Sequence, residues 1–362
     1  MVFPKPTEQA ILIVNGKRFT DWETVMVRHA LRDHPAYHCR FTCSEAIPIS
    51  LNFSVLQIKP GDLCEVILAG FPAFKGKVET RQVFYDANRH HIEIQCATWL
   101  EVGTAGVITK TGEWKDKTFG QIARDILGKM GINVVFEGGS EPSYKFPRVS
   151  SSPGESVHDF LDTLARGLSA STGVGISFTS NISGDFVVIM GPNGGTDEVV
   201  EGKNIIIGRE IIFNPSMAGS APVISQGTGD NENHGAKVAH TPFNLEAMQT
   251  FGASFTPSVI INEMASFDNK LLQGRAGSEG QWLQGDQITA IITVYGWIRP
   301  SGGLWYRDQF VSVTSPMLIM KNTSLIAKSV TFTQDGNTGT RTTLELCNPA
   351  ALGGLNPQVN KP

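Results

Sequence analysis

The chain has 362 residues, a formal net charge of -4, and 41% hydrophobic against 18% charged residues. That is more chain than one core usually serves and too little charge for a disordered polymer, while the acidic balance argues against tight gripping of nucleic-acid phosphates. No run approaches the roughly 20 apolar residues of a membrane span, and residues 1–6 lack the apolar stretch of a secretion signal, so a soluble chain is expected.

The 38 glycines and 19 prolines are spread along the sequence, as many short strands joined by turns require. At the start, Ile11 to Val14 runs into Asn15-Gly16 and returns through Lys17-Arg18-Phe19, a hairpin signal. Tyr37, Cys39, Phe41 and Cys43 alternate with His38, Arg40 and Thr42, which predicts a half-buried strand. Cys39 and Cys43 on one strand lie about 13 Å apart, beyond the roughly 7 Å limit for bridged Cα atoms. Pairing of Cys39, Cys43, Cys64 or Cys96 with another strand or another chain stays open, and reduced cysteine is the default. After a turn at Pro60-Gly61-Asp62, a strand is expected over Leu63 to Leu68. A second hairpin follows over Gly76 to Phe84 and His91 to Cys96, about a turn at Asp86-Ala87-Asn88.

The period then changes. Phe119, Ile122, Ala123, Ile126, Leu127 and Met130 fall at helical spacing ahead of Gly131, a left-handed cap. Ser152-Pro153-Gly154-Glu155 reads as a capping box opening a second helix through Val157, Phe160, Leu161, Leu164, Ala165 and Leu168. The two apolar stripes pack on each other or on a small sheet from Gly175 to Gly191. Strands resume at Glu210 to Phe213, a loop is expected at Gly227 to Asn233, and Asn262 to Leu283 reads as a glycine-interrupted helix. Further strands follow at Gln287 to Trp297, Gln309 to Thr314, Ala327 to Thr333 and Thr340 to Cys347. The fold class is therefore α+β, mainly β. Its expected units are a first β unit over 1–103, an α/β insertion over 104–208, a second β unit over 209–240 and 286–348, a loop or helix insertion over 241–285, and a tail over 349–362.

The end of the chain echoes its beginning. Gly61-Asp62-Leu63-Cys64 is matched by Arg307-Asp308-Gln309-Phe310, and Gly76 to Thr80 with Ile92 to Cys96 by Ala327 to Thr331 with Thr343 to Cys347. Short β matches also arise by chance, so the echo is supporting evidence only. Two similar units per chain would let three chains present six similar units to a six-fold tube.

Other constellations have plainer readings. His38 and Cys39 point to opposite faces of one strand, so His34, His38, Cys39 and Cys43 do not make a metal cluster. His90-His91 suits a solvated turn. Ser156, His158 and Asp159 share one helical turn, which forbids triad geometry. Trp99, Trp114, Trp282, Trp297 and Trp305 read as core or interface anchors before a sugar-stacking surface. No catalytic, cofactor-binding or metal-binding residue is nominated, and no cofactor is expected.

Several segments, in order, carry a family likeness: Val14-Asn15-Gly16-Lys17-Arg18-Phe19 with Trp22, Ile58 to Asp62, Gly76-Lys77-Val78, Lys117 to Ala123, and Pro153-Gly154-Glu155-Ser156. They continue with Glu201 to Ile205, Val294-Tyr295-Gly296-Trp297, Gly303-Leu304-Trp305 and Leu325 to Phe332. With these the chain resembles the baseplate hub family of Mu-like contractile phages, related to the T-even hub and to the N-terminal part of type VI secretion spike proteins. It departs from the family pattern at Phe243 to Gly285. The resemblance implies a non-enzymatic homotrimeric ring with two tail-tube-like antiparallel β-barrel domains per chain, located in the virion tail baseplate and assembled in the host cytoplasm. Its implied partners are the central spike, the tail tube or tube-initiator protein, the baseplate wedge proteins, the tape-measure protein, and DNA in transit through the lumen, without stable membrane association. The rival readings are a tail-associated peptidoglycan hydrolase and a carbohydrate-binding module.

Overall fold

A computed structural model describes residues 8–31, 37–44, 57–86, 90–98, isolated positions between 100 and 108, most of 112–212, the strands at 223–226, 236–239 and 261–263, and 288–349. The first β unit holds β1 (Ala10–Val14), β2 (Lys17–Phe19), β3 (Thr24–Ala30), β4 (His38–Ser44), β5 (Leu63–Leu68), β6 (Phe71–Tyr85) and β7 (His90–Ala97). Asn15 at φ 48° and Gly16 at φ 81° make the turn between β1 and β2, the left-handed pair that a two-residue hairpin of this twist needs. On β4, Cys39 and Phe41 are sealed from solvent while Arg40 between them is exposed, as the alternation predicts. Thr42, expected outside, is buried with its hydroxyl on that of Thr24. Positions 87 and 88 of the expected turn after β6 lie outside the described residues.

The insertion holds β8 (Glu113–Thr118), α1 (Phe119–Leu127), β9 (Val134–Glu137), β10 (Lys145–Ser150), α2 (Val157–Thr172), β11 (Ser177–Ser180) and β12 (Phe186–Ile189). The Thr118 hydroxyl accepts from Gln121 N–H, and the Gln121 side chain accepts from Thr118 N–H, so a reciprocal cap starts α1. One 3-10 turn, Gly128–Met130, carries the helix to Gly131 at φ 75°. The start of α2 differs from the sequence expectation. Gly154 sits at φ 81°, which a right-handed helix cannot contain, so the helix begins at Val157 with Ser156 Oγ accepting from Asp159 N–H at 3.0 Å. Glu155 still reaches back to Ser152 N–H at 2.7 Å, closing a turn rather than a helix. Both helices share one core with the three-stranded sheet β11-β12-β9, through Phe119, Leu127, Leu161, Leu168, Phe178 and Phe186. In that sheet β9 runs parallel to β12.

The second β unit holds β13 (Asn193–Val200), β14 (Ile205–Ile212), then β15 (Val223–Gln226), β16 (Ala236–Ala239) and β17 (Ile261–Glu263) as a separate small sheet, and β18 (Ile288–Tyr295), β19 (Gln309–Ser315), β20 (Met320–Asp335) and β21 (Gly339–Cys347). Two expectations are corrected here. β13 and the whole of β14 pair in the large sheet, β13 with β19 and β14 with β18, so that sheet takes up chain well before residue 209. β15 pairs with β16 on one side and β17 on the other, not with the large sheet, and β17 is extended where a helix was expected to begin. The loop expected at 227–233, most of the segment 262–283 and the tail lie outside the described residues.

The large sheet has 13 strands in the order β14-β18-β21-β20-β3-β4-β7-β6-β5-β1-β2, with β19 beside the first half of β20 and β13 beyond it. The order β1-β5-β6-β7-β4-β3 is thus repeated as β13-β19-β20-β21-β18-β14. Both long hairpins carry a bulge, between Val78 and Thr80 in one and between Ala327 and Ser329 in the other. Superposing the bulges matches Val78 with Ala327 and Ala97 with Cys347, and correspondingly Cys39, Phe41 and Cys43 of β4 with Ala290, Ile292 and Val294 of β18, all buried. Gly61 then matches Asp308: each lies at positive φ, 94° and 58°, and each donates its N–H to the matching carbonyl, of Val78 and of Ala327. The sequence echo therefore holds at the level of strand order, while its register shifts by two residues on β6 and one on β7. The units differ at one edge, since β1 is antiparallel to β5 and β13 parallel to β19.

Candidate functional site

A buried polar group lies where the two β units and the insertion meet. Asp308 is fully buried in the left-handed region that Asp tolerates better than most residues, and its carboxylate receives Arg307 Nη1 at 3.0 Å. Arg307, itself buried, extends Nη2 to Glu137 of β9 at 3.4 Å and to the Ser180 carbonyl at 3.3 Å. Although burial works against its charge, the Tyr37, Asp308 and Glu137 side chains raise its pKa, so the guanidinium stays protonated. Next to it Thr179 Oγ1 donates to the Ala30 carbonyl at 2.8 Å, tying β11 to β3. His29 stacks on Tyr37 at 3.9 Å and meets the Ala73 carbonyl through Nε2 at 2.7 Å. Burial drives the His29 pKa down to about 3, so the ring is neutral and Nε2 is the donor. Beside this joint a cavity of about 580 Å³ opens between Phe71, Ile182 and Trp305.

A second buried carboxylate holds the start of β13. Asp197 accepts from Gln309 Nε2 at 2.6 Å, from Ser301 N–H at 2.9 Å and Oγ at 2.8 Å, and from Arg299 Nη1 at 3.3 Å. These bonds join β13, the turn after β18, and β19. Both groups position elements, Asp308 at the joint and Asp197 along β13.

The residues weighed in the sequence fall as follows. His38 is half-buried and Cys39 buried on the opposite face; His34 lies outside the described residues. All five cysteines are buried. Cys39 faces Cys96 directly across β4 and β7, and burial raises the Cys39 thiol pKa. Among the described residues no group of three His, Cys, Asp or Glu is placed to hold a metal ion. Ser156 Oγ is occupied as a helix cap, with His158 Nδ1 3.7 Å from Asp159. His91 lies 3.9 Å from Glu23 near the end of the β6–β7 hairpin. Trp297 and Trp305 are core residues, Trp114 packs on Phe160, and Trp99 and Trp282 lie outside the described residues.

The exposed apolar side chains are concentrated at strand ends and edges. Val83, Phe84 and Tyr85 close β6; Ile207, Ile211 and Ile212 stud β14; and Met317 and Ile319 cap the β19–β20 turn. That turn is fastened by Glu201, whose carboxylate accepts from Ser315 Oγ at 2.5 Å and Met317 N–H at 3.1 Å. The sequence reading missed these patches because an isolated apolar residue in a β pattern is indistinguishable from one facing the core.

The fold, a duplicated β unit with a helical insertion, matches that of a phage tail protein and of a type VI secretion component. The 43 kDa tail protein of prophage MuSo2 from Shewanella oneidensis superposes with a TM-score of 0.77 at 19% identity, over 95% of this chain and 99% of that one. An Escherichia coli protein described as a component of the type VI secretion system, similar to the T4 tail proteins gp27 and gp5, gives 0.55 at 13% identity, over 92% of this chain and 76% of that one. Residues 104–188 match the family described as baseplate hub protein gp44-like, second domain. The chain is also 25% identical over 344 residues to the baseplate hub protein gp44 of Escherichia phage Mu, covering 92% of this chain and 86% of the relative. With a gp44-like hub domain over residues 104–188 and this likeness along most of its length, the chain is a homologue of the baseplate hub protein of the phage Mu tail.

Proposed function

We propose that the chain forms a homotrimeric ring with pseudo-six-fold symmetry that joins the tail tube to the central spike and passes DNA through its lumen. The observation that carries this reading is the repeated strand order within one chain, which lets three subunits offer six like units to a six-fold neighbour. The domain layout proposed with it is two tube-like β units, the first ending near residue 103, with the α/β insertion between them. The buried knot of Arg307, Asp308 and Glu137 supports a mechanical role, since it couples the insertion to both units and stiffens the joint. The acidic net charge suits passage of DNA, because a lumen that binds few phosphates releases few counterions and retards the duplex little. Partners on this reading are the spike below, the tube or its initiator above, the wedge proteins around, and the tape-measure protein within; the chain itself catalyses no reaction. Light scattering of the purified full chain is expected to give the mass of a trimer, and images of it a ring wide enough for duplex DNA. A monomer at assembly concentrations would overturn the proposal.

A further inference from the structure

The two β units of one chain are joined by a strand pairing whose equivalent is half-built elsewhere. The second half of β20 pairs antiparallel with β3, Ser329 opposite Ala30 through Asp335 opposite Thr24. The register that matches Ala327 with Val78 maps this segment of β20 onto residues 80–86 of β6, with Phe332 falling on Val83. The register of β4 and β18 likewise maps β3 onto β14, with Thr24 falling on Ile207 and Val27 on Glu210. Among the described residues, β14 has a neighbour on one side only, and so does β6 beyond Val78. Burial follows pairing. At the mapped core-facing positions Phe332 and His29 are buried, whereas their counterparts Val83 and Ile212 are 44% and 63% exposed.

We infer that residues 80–86 of β6 in one chain pair antiparallel with β14 of a second copy, repeating between chains the junction that β20 and β3 make within one. The register follows from the mapping: Val83 opposite Glu210, Phe84 opposite Arg209, and Asp86 opposite Ile207. It places Arg81 diagonally next to Glu210 and Asp86 next to Arg209, so each charge falls beside its opposite. Tyr85 lies opposite Gly208, beside Leu318, which packs over the glycine. Because β6 and β14 are different strands, the contact is head-to-tail, and three copies close it into a ring with alternating internal and intermolecular junctions. The internal junction is drier, as a contact never exposed to water can be, while the intermolecular one mixes charged and apolar groups, as a surface that is soluble before assembly must. Edge strands left long and apolar otherwise invite aggregation.

This inference rests on the trimer reading, and the test separates the two. The full chain carrying Val83→Cys and Glu210→Cys together is treated with a short bismaleimide and run on a denaturing gel, after light scattering has given its mass. The native thiols are buried, so the parent chain is the blank. The double variant is expected to give covalent dimers and trimers, each single variant no ladder, and a mixture of the two single variants dimers alone. A monomer by scattering overturns both ideas; a trimer that does not cross-link overturns this pairing and leaves the trimer standing. In the second arm Ile212→Lys, at an exposed site that maps onto buried His29 and lies opposite Arg81, is expected to keep the parent circular dichroism and to weaken trimer association by about tenfold or more, the loss of a hot-spot contact. Unchanged association would overturn the pairing.

Discussion

Replacing Arg307 with methionine keeps most of the side-chain volume but strips the buried Asp308 carboxylate of its guanidinium partner. Losing one member of a buried ion pair costs about 3–5 kcal/mol, because the remaining charge stays desolvated. The Glu137 contact is half-exposed and adds little to this figure. The expected result for Arg307→Met is therefore a loss of about 3–5 kcal/mol in urea unfolding of the full chain. The double variant Arg307→Met with Asp308→Asn is expected to recover a large part of the loss, since Asn is neutral and tolerates the φ of 58° that this position demands. A loss below about 1 kcal/mol for the single variant, or no recovery in the double, would refute the claim that this pair is a desolvated structural joint.

Three further outcomes are expected. His29 is neutral in the fold down to about pH 3, whereas in the unfolded chain it protonates near 6.5. As the pH falls from 6.5 towards 3, the unfolded state binds one more proton here, and stability drops by about 1.4 kcal/mol per pH unit from this group. His29→Gln is expected to remove that slope in unfolding curves taken between pH 7 and 5, and an unchanged slope would sink the assignment. Gly76→Ala would place a Cβ 2.2 Å from the Ala97 carbonyl oxygen, so β6 and β7 must separate, and a clear fall in melting temperature with loss of native signal is expected. Phe332→Ala is expected to cost about 3–5 kcal/mol in chemical unfolding, while Phe84→Ala at an exposed site changes it by less than about 0.5 kcal/mol; equal costs would contradict the burial contrast between β20 and β6.

Local chemistry was legible in the sequence wherever one or two residues decide a backbone conformation. Asn15-Gly16 and Gly131 mark chain reversals that few other residues permit, and Thr118 with Gln121 caps α1 by a bond between near neighbours. What long-range pairing decides was not legible. β13 begins in a glycine-rich stretch with no strand alternation and becomes a strand because β19 lies alongside it. The start of α2 turned on Gly154, whose left-handed conformation cannot be told from a helical one by residue type. The register of the repeat hinged on where each bulge inserts its extra residue, which alternation does not reveal. The buried joint was hidden for a related reason. Arg307 and Asp308 have side chains expected at the surface, and only the fold shows them enclosed.

Carrying both β units on one polypeptide changes the arithmetic of ring formation. The contact between β20 and β3 forms as the chain folds, at an effective concentration set by the tether and independent of how many copies the cell has made. In the proposed ring, half of the six joints would then be closed before any two molecules meet. A hexamer of single units would have to gather six molecules by diffusion, whereas the proposed trimer gathers three and would assemble where its subunits are scarce.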